Sequence, residues 1–437
     1  MIRARAAAAL AAAVSLVAAT PGLPARTATD AARPASGAAA TRTAADPGTR
    51  PWVQVPRDRV AEECGLDPEL MDEASRQLVH TPFAVVRYGT LCWTGGYPTG
   101  ATATYPVHSI TKTFGALLVG MVADRSSLSD ADPITRWVPA DELGDINPEA
   151  TIAHVLAMTA TKPDLRHGEK GTWSYDALGE REINVLVGAM DRAIAEEPEG
   201  FPGVENVREL ATEELFAPLG MTSSTWRGEN IAYSLKSSQH DLARLGLLLL
   251  RKGRWNGEQI VSERWVYRMT HPAFEDTNTG YGYLTYVNAA QGQVYSSGTT
   301  DLACSPFTRW ASYPHGPTFE APDDNGGFPF ATQRHDVGMF WAAGAGGQKT
   351  SVHRALDLVI TVRDEAVSVG GGTSGSFEGH KRPWNLIRPA LVAHDPVFPG
   401  DEAAFCDAYR RSEHAPDLRS PWSAQASGPL SERVAGR

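Results

Sequence analysis

The chain has 437 residues, 42% hydrophobic and 21% charged, enough for a sizeable core in one large domain with an insertion or in two to three units. Its net charge is −11 and no basic run stands out in its body, which argues against a nucleic-acid partner. No run of about 18 apolar residues follows the N-terminus, which argues against a membrane span.

The first fifty residues hold six Arg, two Asp and twenty Ala, a net of +4, so the rest of the chain carries −15. Residues 1–5 are basic, residues 6–20 are apolar, and small residues at Val17-Ala18-Ala19 or Leu23-Pro24-Ala25 offer a cleavage site. That order is the plan of a signal peptide over residues 1–25 and predicts a secreted protein. Residues 26–55, rich in Ala, Thr, Pro and Arg, read as a disordered leader. The four cysteines, Cys64, Cys92, Cys304 and Cys406, form no C-x-x-C pair, which sets zinc and redox motifs aside. An even number in an exported chain favours two disulfides. The pairing Cys64–Cys92 and Cys304–Cys406 joins each terminal segment to a nearby or folded-back one; four buried thiols are the alternative.

Leu66, Leu70, Met71, Ala74 and Leu78 recur at helical spacing and predict a helix over residues 62–78. Residues 83–89 and 90–93 read as two strands around a Gly-containing turn. After a Gly/Thr/Pro loop, residues 109–123 form a helical pattern with Ile110, Phe114, Leu117, Leu118 and Met121 as an apolar stripe; Gly115 and Gly120 allow close packing. Helical patterns follow over 151–158, 182–195, 207–216 and 240–251. Residues 277–336 are rich in Gly, Thr, Ser, Pro and aromatics and predict long loops around a cleft. Trp310, Tyr313, Phe319 and Phe328 either line that cleft or pack a loop core. Strand signals return at 337–342, 350–353 and 356–363, and a helix is expected over 383–392. Strands at both ends around a helical block predict an α/β fold, one sheet assembled from the two ends with a helical insertion.

The sharpest local feature is Ser109-Ile110-Thr111-Lys112. Ser and Lys three apart lie on one helix face, one turn apart. A serine opening the helix sits at the positive end of its dipole, and a partly desolvated lysine can be neutral and accept the serine proton. The serine N–H can help hold an oxyanion. The pattern alone is weak: with 27 Ser and 7 Lys, roughly 0.4 matches arise by chance. Its bland alternative is a helix-capping serine and a solvated lysine. Context strengthens it, because Lys is scarce against 33 Arg and a cation in the first turn of an apolar helix calls for a reason.

Further motifs follow in order: His154-Val155-Leu156-Ala157-Met158-Thr159, Gly171-Thr172-Trp173-Ser174-Tyr175, Leu215-Phe216-Ala217-Pro218-Leu219-Gly220-Met221, Asp241-Leu242-Ala243-Arg244-Leu245-Gly246, Tyr281-Gly282-Tyr283-Leu284 and Ala343-Gly344-Ala345-Gly346-Gly347-Gln348. With the Ser109 box they resemble the serine β-lactamase-like superfamily: class C β-lactamases, D-Ala-D-Ala carboxypeptidases and other penicillin-binding proteins, related esterases and 6-aminohexanoate-dimer hydrolases. The resemblance implies an antiparallel sheet flanked by helices plus an inserted, mainly helical domain. The hydrolase domain would span 56–400, with its α/β part at about 60–115 and 335–395, the insertion at about 116–334, and a tail over 401–437.

The resemblance makes Ser109 the acylated nucleophile, Lys112 its activating partner and Tyr175 the proton relay to the leaving group. Tyr175 would need a cation such as Lys112 to lower its pKa. Gly344 would keep its strand open to substrate, and the N–H groups of Ser109 and Ala345 would bind the oxyanion. Two departures stand out. The family's Tyr-x-Asn is here Tyr175-Asp176-Ala177, so its amide is missing unless Asn184 reaches in. The Lys-Thr-Gly or His-x-Gly box is here Ala342-Ala343-Gly344, without the cation that helps hold a substrate carboxylate. The expectation is therefore a secreted serine hydrolase acting on a small ester, amide or peptide-like substrate, without metal or organic cofactor. The alternatives are a D-Ala-D-Ala carboxypeptidase or β-lactamase, and a non-catalytic binding protein on the same scaffold.

Overall fold

Runs of β-branched residues at the two ends of the body meet in one sheet. In the computed structural model the described residues are 46–96, 101–161, 175–228, 230–271, 273–274, 281–287 and 340–363, with 383, 386, 387, 390 and 391. The chain enters through α1 (Val60–Cys64) and α2 (Pro68–Gln77). The single helix expected over 62–78 is thus broken. Gly65 takes a left-handed φ of 62° and ends α1, and the Asp67 side chain caps α2 by accepting from the N–H groups of Glu69 and Leu70. β1 (Phe83–Arg87) and β2 (Thr90–Gly95) form a hairpin whose two turn residues, Tyr88 and Gly89, both have positive φ, the turn that matches strand twist.

β3 (Tyr105–Pro106) leads into α3 (Ile110–Ala123). Short helices α4 (Ile134–Trp137) and α5 (Ile152–Leu156) precede α6 (Val185–Glu196). α7 (Val207–Glu209) runs on through a π-helical stretch, Leu210–Phe216, into α8 (Ala217–Leu219). β4 (Lys236–Ser237) pairs with β3, and α9 (Gln239–Leu250), the small hairpin β5 (Arg254–Trp255) with β6 (Glu258–Gln259), and α10 (Glu263–Met269) follow. β7 (Tyr286–Val287), β8 (Phe340–Gly344), β9 (Gln348–His353) and β10 (Leu358–Arg363) complete the elements. Among the described residues the sheet has six strands in the order β2-β1-β10-β9-β8-β7, paired antiparallel throughout.

Each face of the sheet carries its own apolar cluster. On one, Phe83, Val85, Leu358, Ile360 and Val362 meet Val60, Leu66, Met71 and Leu78 of the N-terminal helices. The disulfide Cys64–Cys92 clips α1 to β2 there. Buried Arg87 fastens the same layer, donating to the carbonyls of Cys64, Gly65 and Leu356. Cys304 and Cys406 lie outside the described residues, as do Trp310, Tyr313, Phe319 and Phe328. Of the helix expected over 383–392, Pro383, Leu386 and Ile387 are helical, and Leu391 bridges to Leu66.

The other face carries a larger cluster centred on α3 and α9. Gly120 of α3 leaves room for Trp265, whose ring would lie 2.2 Å from an added Cβ and whose N–H reaches the Ala116 carbonyl. α9 lies directly on the sheet, with Gly246 against Val359 and Thr350, and the Thr361 hydroxyl donates to the Gln239 carbonyl. Within the stretch 116–334, expected as a helical and loop-rich insertion, α9 and β7 lie in the sheet layer, where an apolar helix buries its face against the strands. Residues 46–55, expected in the disordered leader, also pack on this body. Arg244 of α9 donates to the carbonyls of Gly48, Arg50 and Leu219, the Trp52 indole donates to the His240 carbonyl, and the Val55 N–H bonds the Leu91 carbonyl.

Candidate active site

The site begins where β3 turns into α3. His108 holds a φ of 48°, a costly value for a residue with a Cβ, and the turn is fixed by the Thr111 hydroxyl bonded to the His108 carbonyl at 2.5 Å. Ser109 then occupies the N-cap position of α3 without capping it: its side chain makes no hydrogen bond to the first-turn N–H groups. The side chain is used elsewhere. Lys112 Nζ lies 3.4 Å from Ser109 Oγ, and the Tyr175 hydroxyl is hydrogen-bonded to Ser109. The structure thus brings Ser109, Lys112 and Tyr175 together from a helix and a loop 63 residues further on.

Lys112 is 1% exposed. Its Nζ also donates to the Ala177 carbonyl at 2.9 Å and the Ala232 carbonyl at 3.0 Å. Burial lowers its pKa to about 7, with the nearby Asp176 charge acting in the opposite direction. A neutral amine has two N–H donors and one lone pair. With both donors spent on carbonyls, the lone pair is left to accept the Ser109 proton.

Tyr175 behaves differently from the sequence expectation. Burial raises its pKa to about 12, outweighing the hydrogen-bonding partners Ser109 and Tyr286 that pull it down. Lys112 Nζ stands 5.0 Å from the centre of the Tyr175 ring, and a lysine that is itself close to neutral cannot lower the phenol as a full cation would. Near neutral pH, Tyr175 is a phenol with a proton to give.

The residue after Tyr175 organises the loop. Asp176 is 4% exposed, and its carboxylate accepts from the N–H groups of Gly179, Glu182 and Ile183 at 2.9–3.1 Å. Its own N–H meets the Met158 sulfur at 3.3 Å, and the Ala160 N–H bonds Glu182, so the 154–160 motif supports the tyrosine loop. Burial pushes the Glu182 carboxyl up to about 7. Asn184 does not reach Ser109: its amide is spent on the Leu178 carbonyl and the Ile231 N–H. At the third position of Tyr-x-Asn, Ala177 offers its carbonyl, which accepts from Lys112 and supplies no amide donor. Asp176 had no signal beyond its place next to Tyr175, and Ala177 and Ala232 had none, because main-chain carbonyl ligands carry no residue-type signature.

Gly344 brings the sheet close to the start of α3. A Cβ there would lie 2.2 Å from the Val107 carbonyl oxygen, so the glycine lets β8 press against the chain two residues before Ser109. Gln348 pins the same contact by donating to the Pro106 carbonyl at 2.8 Å. The turn after Gly344 presents exposed Ala345 and continues through Gly346 and Gly347, both at positive φ. The third box is neutral, and Lys349, which pairs with Ala343 across the hairpin, is fully buried with its ammonium 5.7 Å from the Trp341 ring centre. The 215–221 and 241–246 motifs serve the frame. Gly220 ends α8 with a left-handed φ of 66°, Arg244 holds the Leu219 carbonyl, and Asp241 accepts from the Ser223 N–H and the Ser224 hydroxyl.

No curated protein matches the chain. Among solved structures, similar ones include a penicillin-binding protein homolog from Caulobacter crescentus (12% identity, TM-score 0.47, 73% of this chain and 95% of that one). Others are a β-lactamase/D-alanine carboxypeptidase from Pseudomonas syringae (14%, 0.45, 72% and 98%) and a β-lactamase from Mycobacterium bovis (15%, 0.43, 68% and 91%). The Beta-lactamase family model matches residues 69–363, which holds the sheet, α3 and the tyrosine loop, and the chain belongs to that family of serine hydrolases.

Proposed function

We propose that this chain is an exported serine hydrolase that cleaves an ester or amide bond through an acyl-enzyme on Ser109. One observation carries the reading: Ser109 Oγ sits between a lysine whose two donors are already engaged and a phenol that keeps its proton. Lys112 takes the Ser109 proton as Oγ attacks the substrate carbonyl carbon. The oxyanion is held by the N–H groups of Ser109 and Ala345. When the bond to the leaving group breaks, Tyr175 gives that group its proton. In the second half, water gives a proton to the Tyr175 phenolate and attacks the acyl carbon, and Lys112 returns its proton to Ser109. The neutral Ala342-Ala343-Gly344 box and the burial of Lys349 favour neutral esters or amides over the carboxylate-bearing β-lactams and D-Ala-D-Ala stems. Export is supported by the basic, then apolar, then small-residue order of the first 25 residues.

The test is intact-mass spectrometry after mixing with p-nitrophenyl acetate or a labelled penicillin. An acetyl adduct that is absent in Ser109→Ala, together with turnover, is the expected result. Covalent capture of penicillin at rates above ester turnover would move the reading to a carboxypeptidase or β-lactamase. No adduct with either reagent would leave a non-catalytic binding protein.

A further inference from the structure

Tyr286 stands beside the reacting groups and has no part in the steps above. It is 8% exposed, on β7, the last strand of the described part of the sheet. Its ring is stacked on Trp341, its cross-strand neighbour, at 5.6 Å between centres, and meets the Tyr281 ring edge-on at 5.0 Å. The backbone leading to it is fixed by the nucleophile helix itself. The Thr113 hydroxyl, one residue after Lys112, donates to the Leu284 carbonyl at 2.9 Å, and Thr285 donates to Thr113. Leu284 holds a φ of 47°, strain that the surrounding contacts must support, and its N–H is tied to the Leu156 carbonyl. On the site side, the Tyr286 ring centre lies 6.4 Å from that of Tyr175 with the rings 26° from parallel, and the Tyr286 hydroxyl acts on the Tyr175 phenol as a hydrogen-bonding partner that pulls its pKa down.

A phenol has one proton to donate. Tyr175 has hydroxyl partners on two sides, Ser109 and Tyr286. If Tyr286 donates to the Tyr175 oxygen, the single Tyr175 proton is turned toward Ser109, where the leaving group forms. We propose that Tyr286 is a positioning residue for proton delivery, which fixes the direction of the Tyr175 proton and stabilises the Tyr175 phenolate left when that proton departs. This rests on the acyl-enzyme reading. The balance is unchanged: the scissile C–O or C–N bond breaks, the Tyr175 proton passes to the leaving oxygen or nitrogen, and the Tyr286 O–H stays intact while its hydrogen bond to the new anion strengthens.

The inference assigns Tyr286 to substrates whose leaving groups need a proton, such as alkyl esters, phenyl esters and amides. The test is kcat/KM for a series of aryl acetates, from p-nitrophenyl to phenyl, in wild type, Tyr286→Phe and Tyr286→Trp. All share one acyl-enzyme, and p-nitrophenolate leaves without a proton. The expected result is that phenyl acetate loses about tenfold more than p-nitrophenyl acetate in both variants, the scale of a hydrogen bond to a charged group. Turnover of p-nitrophenyl acetate reports that each variant is folded. Equal losses across the series would overturn the role and leave Tyr286 as packing. Absence of any aryl acetate turnover by wild type would overturn the acyl-enzyme reading and this role with it.

Discussion

The two arms of the site are held in different ways. The α3 arm carries Ser109 and Lys112 on consecutive turns of one buried helix, so their spacing follows from helical geometry alone. The 175–184 arm has no regular structure over Tyr175–Asp176 and keeps its shape through one buried carboxylate, which gathers three N–H groups. The first arm is local and rigid; the second is a loop whose backbone is satisfied by a side chain instead of by a ladder. The difference teaches where the chemistry is vulnerable. Damage to the α3 arm removes a reacting group, whereas damage to the loop arm displaces one.

Substitutions separate the two. Lys112→Met deletes the proposed proton acceptor and is expected to lower kcat/KM for p-nitrophenyl acetate by about a thousandfold. Wild-type kcat/KM should rise with pH through about 7 as Lys112 loses its proton. Stability carries the same signature. Between about 7 and the ordinary lysine value of 10.5, the unfolded chain binds a proton that the folded chain has lost, so stability climbs with pH across that window. Lys112→Met should flatten that climb in thermal melts.

Gly344→Val comes next. Its side chain collides with the Val107 carbonyl and pushes the β8–β9 turn away from the start of α3. About a hundredfold loss in kcat is expected, the scale of losing one oxyanion donor, with Lys112 still titrating near its wild-type pH. A loss confined to stability would show that the turn takes no part in the site.

Asp176→Asn tests the loop arm. An amide offers one acceptor oxygen where the carboxylate offers two, so at least one N–H contact weakens and kcat falls by about tenfold, the net scale of one hydrogen bond to a charged group. Removing the negative charge also takes away what holds the Lys112 pKa up, so the acid limb of the pH profile should move below its wild-type position. A limb that stays in place would break the link between the arms. The smallest effect on turnover is expected from Cys64→Ser with Cys92→Ser. This pair clips the far face of the sheet, where it should cost about 3 kcal/mol of stability in denaturant titration and leave ester turnover within error.

The α3 arm was legible in the sequence because a helix converts spacing into proximity. Ser109, Lys112 and the close-packing glycines Gly115 and Gly120, which meet Ile231 and Trp265, could be read from residue type and period alone. So could the strands β1, β2, β8, β9 and β10 and the Cys64–Cys92 clip, but not β7, which falls in the stretch 277–336 expected to be loops. Tyr175 came from motif order, and its neighbours did not come at all: Lys112 is gripped by the main-chain carbonyls of Ala177 and Ala232, which any residue could supply. Tertiary structure alone decided the protonation of the site. Lys112 is lowered and Tyr175 raised by burial, the reverse of a lysine-stabilised phenolate, and burial is a property of packing and not of sequence spacing. The same holds for Gly344. The sequence marked it as a place where something must come close, and the fold decided that the neighbour is the Val107 carbonyl.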